Sequence, residues 1–207
     1  MPSRPRRLRY SVAMSLDGFL GRHGKDDYSW IVGDSSVDFV ALVKEFDTAV
    51  LGRKTWDVAR AMGQNGVAGL DAIVFSKSLA PETRKALRVT PDDPVATVAA
   101  LKKQPGKDIW LFGGGELFRT LLQAGLVDTV EVAVVPVLLG DGIPLLPPGA
   151  ETTLELVDSR TLPSGMVMLA YSIPGGAPAS KIRHIKKTSR RKSSRPRKTS
   201  RPGKKKR

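Results

Sequence analysis

Ile109-Trp110-Leu111-Phe112-Gly113-Gly114-Gly115-Glu116-Leu117 sets the fold. Four consecutive apolar residues are too short for a helix and suit a strand buried on both faces. The strand runs straight into three glycines. Beyond them Leu117/Leu121 and Phe118/Leu122 pair four apart, which predicts a helix. A strand, a glycine corner and a helix start together have a chemical consequence. The first N–H groups of a helix lack intrahelical partners and carry the positive end of its dipole, so they form an anion site. Glycine, having no Cβ, lets backbone approach a phosphate closely.

The same pattern occurs upstream, where Ala49-Val50-Leu51 enters Gly52-Arg53-Lys54-Thr55-Trp56. Two such corners in one sheet suit the two ends of a dinucleotide. The commoner fingerprints are missed: G-x-G-x-x-G from Gly113 needs glycine where Phe118 stands, and a Walker A motif ending at Gly52 needs glycine where Asp47 stands. A tight strand-to-helix turn is the alternative reading of Gly113, Gly114 and Gly115. Ordinary solvated charge is the alternative for Arg53 and Lys54.

Nearer the N-terminus, Leu8, Tyr10, Val12 and Met14 alternate with polar or small residues and predict a strand that ends at Asp17-Gly18. Apolar residues over 37–46 predict an amphipathic helix capped by Ser35 or Ser36. Further strands are expected at 72–75, 87–90, 129–139 and 167–173, with 154–157 pairing nearby. Asp93-Pro94 reads as the cap and first residue of a helix to Lys103. Pro136 inside the 129–139 stretch implies an edge or a bulge. Alternating strands and helices imply an α/β fold in three layers, its central sheet mostly parallel with an antiparallel C-terminal edge.

Composition narrows the class. The 207 residues carry 34 Lys and Arg against 20 Asp and Glu, a formal charge of +14. Residues 181–207 hold 15 of those basic side chains and no acid, leaving 19 basic against 20 acidic over 1–180. The body is thus near neutral. There are no cysteines and two distant histidines, which excludes disulfides and thiolate chemistry and disfavours a metal site. No apolar run approaches the roughly 18 residues of a membrane span, and the arginines near the N-terminus precede too short an apolar stretch for a signal peptide. A cytoplasmic protein is expected.

Four stretches in order carry a family likeness: Ala13-Met14-Ser15-Leu16-Asp17-Gly18, Leu51–Trp56, Leu111–Leu117, and Ala124–Asp128 continuing through Val135–Gly140. Together they resemble the dihydrofolate-reductase-like superfamily, and more closely the reductases related to the C-terminal domain of the riboflavin-biosynthesis deaminase-reductase. The resemblance implies a reductase acting on a small nitrogen heterocycle, a pterin or a riboflavin-pathway pyrimidine, with NADPH as hydride donor, and a homodimer. It places Gly52, Arg53, Lys54, Thr55, Ser76 and Lys77 at the phosphates on one side. Gly113, Gly114, Gly115, Glu116 and Leu117 receive the pyrophosphate on the other, through backbone at Glu116.

Asp38 lies about where dihydrofolate reductases carry their acid, and is equally read as complementing a helix start. Asp17 borders the substrate cleft in the resemblance and is otherwise an Asp-Gly turn. Trp30 is either a stacking partner for a flat heterocycle or a core residue. The cleft is expected between residues 21–34 and 138–144. The domain is expected to span 1–176 and to be followed by a disordered basic tail, 177–207; the charge of residues 181–207 suits a polyanion, nucleic acid or anionic lipid, and is otherwise read as an inert solubilising extension. The competing function is a polyanion-binding protein built on a degenerate reductase.

Overall fold

The computed structural model describes residues 5–24 and 28–184. The expectation of disorder falls mostly on residues 185–207, outside the described residues.

In chain order the elements are β1 (Leu8–Ser15), β2 (Phe19–Gly21), α1 (Phe39–Val43), β3 (Phe46–Gly52), α2 (Arg53–Ala61), β4 (Asp71–Phe75), β5 (Glu82–Arg84) and β6 (Leu87–Thr90). They continue as α3 (Pro94–Lys103), β7 (Asp108–Gly113), α4 (Gly115–Gln123), β8 (Thr129–Val135), β9 (Ile143–Pro144), β10 (Glu155–Thr161) and β11 (Val167–Ser172). Among the described residues nine strands form one sheet, in the order β10-β11-β8-β1-β7-β3-β4-β6-β5. From β8 to β6 every pairing is parallel, and β8-β11-β10 is the antiparallel edge expected. The opposite edge also ends antiparallel, at β5-β6.

Alternation divides the sheet's side chains between two layers. Leu8, Tyr10, Val50, Ile109, Leu111 and Val132 pack under α3 and α4, where Tyr10 stacks on Phe118 with ring centroids 3.9 Å apart. Ala49, Leu51, Val74 and Trp110 face the other way, against Trp56 and Ala59 of α2. A third cluster gathers Trp30, Val135, Leu162 and Met166.

Two expectations are corrected. The helix expected over 37–46 is only Phe39–Val43, capped by Asp38 rather than by Ser35 or Ser36. Phe46 opens β3 instead, because its ring stacks on Trp110 at 5.2 Å and carries the Arg9 guanidinium 4.6 Å above it. The strand expected over 129–139 stops at Val135, since Pro136 has no N–H to donate.

The N-terminal arginines are structural. Arg7 donates to Asp108 at 2.6 Å, Arg6 pairs with Asp47, and Arg9 pairs with Glu131 at 2.8 Å and Glu45 at 2.5 Å. Burial opposes the Arg9 charge, but hydrogen bonds and attraction from Glu131 and Glu45 outweigh it and raise its pKa.

Contacts with the body continue beyond the boundary expected at Gly176. Ala177 N donates to Asp128, Arg7 donates to Pro178 O and Ser180 Oγ, and Ile182 N donates to Asp158. His184 O accepts from Asp38 N at 2.7 Å, and its imidazole lies 3.0 Å from Glu45. Residues 177–184 therefore form a strap across the sheet face that carries Arg9. Among the described residues no helix is long and apolar enough to cross a membrane.

Candidate functional site

Because β1, β3, β4, β7 and β8 run parallel, their carboxyl ends share one edge of the sheet. That edge is where open α/β sheets bind ligands. Gly52, Ser76, Gly113, Asp17 and Pro136 all lie on it or just beyond it.

The two glycine corners prove to be neighbours rather than separated ends. A Cβ placed on Gly114 would lie 3.5 Å from Thr55 Oγ1 and 3.6 Å from Gly52 N, and one on Gly113 would lie 3.3 Å from Thr55 Cγ2. One added to Gly52 would lie 4.0 Å from Leu117 Cβ. Thr55 thus seals the first turn of α2 against the Gly113-Gly114 backbone. Gly114 has φ 97° and ψ 104°, a conformation that side chains other than glycine's rarely adopt. Neither α2, capped by Gly52, nor α4, capped by Gly114, has a side-chain cap on its N-terminal amides. Two positive dipole ends therefore open side by side.

The flank is basic. Arg53 is half-exposed, donating to Asp57 at 3.0 Å and to Ser78 Oγ at 3.2 Å. Lys54 and Lys77 are exposed. Ser76 is buried, and its hydroxyl accepts from the Ser78 and Leu79 amides, so it shapes the loop after β4. Ser78, which sequence reasoning missed, joins that loop to Arg53; a Ser-x-Ser turn after a strand was its signal. Glu116 is exposed and paired with Arg119 on its own helix, which turns its carboxylate to Arg119. Leu117 is buried. Gly115 is closely packed, a Cβ there falling 3.0 Å from the Pro147 ring.

The other candidates divide. Asp17 accepts from Ser15 Oγ at 2.6 Å and from the amides of Leu139 and Gly140, pinning the loop after β8 over the β1 turn. The Ser15 hydroxyl, with those amides, lowers its pKa to about 2 against an opposing desolvation. Asp34, also missed, does the same for the preceding loop: it accepts from Ser36 and from the Ser164 amide, and those bonds hold its pKa below the usual carboxylate range. Asp38 caps α1 by accepting from Ala41 N at 2.9 Å.

Trp30 is buried at 8% exposure, and its indole N–H is the buried side-chain polar atom left unpartnered among the described residues. It lines a cavity of about 320 Å³ with Val32, Val135, Pro136, Val137, Ser164 and Met166. An orphaned buried donor costs about 1–3 kcal/mol, which a ligand acceptor would recover.

The family model of the RibD C-terminal domain matches residues 6–168. The chain belongs to the RibD C-terminal domain family. The uncharacterized protein YyaP of Bacillus subtilis is 33% identical over 180 residues, covering 80% of this chain and 94% of that one. Among solved structures, a riboflavin-biosynthesis-type protein from Shewanella sp. PV-4 superposes with TM-score 0.70 at 22% identity, covering 81% of this chain and 98% of its own. The deaminase/5-amino-6-(5-phosphoribosylamino)uracil reductase of Thermotoga maritima gives 0.59 at 14% identity; the match covers 82% of this chain and 57% of that bifunctional protein. The RibD-type reductase fold thus accounts for the α/β sheet described above.

Proposed function

We propose that this chain is an NADPH-dependent reductase of a small nitrogen heterocycle, of the riboflavin-pathway pyrimidine or pterin class. The observation that carries the reading is the pair of adjoining, uncapped helix N-termini at Gly52 and Gly114, in a cradle that a Cβ would narrow. Membership of the RibD C-terminal domain family supports the reductase class.

The residues present fit a dinucleotide. The amides of Arg53, Lys54 and Thr55, together with those of Gly115, Glu116 and Leu117, would hold its pyrophosphate. Arg53, Lys54 and Lys77, around the Ser76–Ser78 turn, would hold the 2′-phosphate that distinguishes NADPH from NADH. Glu116, paired with Arg119, would contribute backbone only. Bound there, NADPH would supply a hydride to the carbon of a C=N bond, and the nitrogen would take a proton. Asp38 is the candidate to deliver or organise that proton, and Trp30 would donate its free N–H to a heterocycle acceptor. Asp17 would shape the cleft by fixing residues 139–140.

The test follows NADPH oxidation by the full chain against a panel of aminouracil pyrimidines and dihydropterins. Turnover with one of them is expected. No oxidation with any, together with no NADPH binding, would refute the reading.

A further inference from the structure

Residues 185–207 carry 13 Lys and Arg and no acid, and from Lys186 onward only Lys, Arg, Ser, Thr, Pro and Gly occur. The 184 residues before them hold 21 basic and 20 acidic side chains. The body therefore has no surplus of negative charge to neutralise this segment. Within it one tetrad recurs: Lys187-Thr188-Ser189-Arg190, Lys192-Ser193-Ser194-Arg195 and Lys198-Thr199-Ser200-Arg201. Each copy presents two cations separated by two small hydroxyl residues. No acidic residue within the segment offsets these charges.

The structure fixes where this segment starts. The strap of residues 177–184 is held by Asp128, Arg7 and Asp158, and it ends with His184 bound to Asp38 and Glu45 at the start of α1 and at its far side. The basic run leaves from a fixed point on the Arg9 face. The glycine cradle is built from other residues, at the carboxyl edge of β3 and β7.

We infer that the chain has a second binding activity: residues 185–207 grip the phosphate backbone of nucleic acid without reading its sequence, tethered to the reductase body by the strap. The chemistry selects the partner. A duplex carries one negative charge per about 1.7 Å of its axis, and neutralising it releases condensed counterions. With no aromatic residue from 185 onward, base stacking is excluded, so binding is sequence-independent. With no apolar side chain after Ile185, the segment has almost nothing to insert into a membrane.

The experiment titrates the full chain, without NADPH, into short fluorescent duplexes of two unrelated sequences across a salt series. Anionic phosphatidylserine vesicles serve as a parallel arm. The expected result is equal affinity for both duplexes, with log K falling against log salt at a slope of about −5 or steeper. Ending the chain at His184 should cost about a hundredfold in duplex affinity and leave NADPH binding unchanged. Replacing Lys187, Arg190, Lys192, Arg195, Lys198 and Arg201 by Gln in the full chain should flatten the slope by about 5. The inference is overturned if the shortened chain binds duplex as well as the full one, if the slope stays flat, or if the vesicles bind more tightly than duplex at equal salt. Because NADPH binding is read separately, this inference and the reductase reading can fail independently.

Discussion

A single carboxylate, Asp17, holds the loop after β8 by accepting from Leu139 and Gly140 while Ser15 donates to it from behind. Its pKa falls from an ordinary 3.8 to about 2. A depressed carboxylate stabilises the fold above its unfolded pKa, and that contribution is lost as pH falls through the folded value. Asp17→Ala should therefore melt below the wild type at neutral pH, with the gap closing as pH drops toward about 2. Parallel thermal melts across that range check it, and a gap that ignores pH would contradict the assignment. Asp38 presents a different choice. Asp38→Asn keeps an acceptor for the Ala41 amide but removes the titratable proton. If Asp38 serves proton delivery, turnover falls about a hundredfold with the melting temperature unchanged. Asp38→Ala should in addition lose about 1 kcal/mol of stability with the cap.

The two glycine corners show what is legible at the scale of elements. Each was visible in sequence as an apolar run meeting glycine, because a doubly buried strand and a helix start leave separate local signatures. Their adjacency was not, because it depends on β3 pairing with β7 across more than fifty intervening residues. The same limit explains α1: Phe46 continues the helical spacing, but stacking on Trp110 draws it into β3. Nor could the arginines at 6, 7 and 9 be told from a solvated charge run, since their acidic partners lie 36 to 122 residues away. The corners also supply a controlled pair of variants. Gly114→Ala forces a side chain into a glycine-only conformation and should cost about 1–3 kcal/mol along with cofactor affinity. Gly52→Ala sits at an ordinary φ of −81° with only Leu117 Cβ in contact, so it should fold normally yet weaken NADPH binding by narrowing the cradle. Denaturant midpoints and NADPH titrations on both variants separate the two effects. Unchanged NADPH affinity in Gly52→Ala would count against the cradle.

At the scale of the molecule, the chain is a near-neutral reductase-family body, a strap that fastens its last described residues, and a basic extension beyond. Ending the chain at Gly176 removes the strap's bonds to Arg7, Asp38, Glu45, Asp128 and Asp158, and at roughly half a kcal/mol or more each should cost about 3 kcal/mol in urea unfolding. Ending it at His184 should leave the midpoint unchanged, and equal midpoints for both lengths would contradict the strap's role. Calorimetric titration of the full chain with NADPH and, separately, with NADH tests the cofactor cradle. Saturable NADPH binding of micromolar to sub-millimolar strength is expected, about tenfold or more tighter than NADH, with that preference reduced in Arg53→Ala and Lys77→Ala. No binding at millimolar NADPH, or a preference untouched by both substitutions, would contradict it.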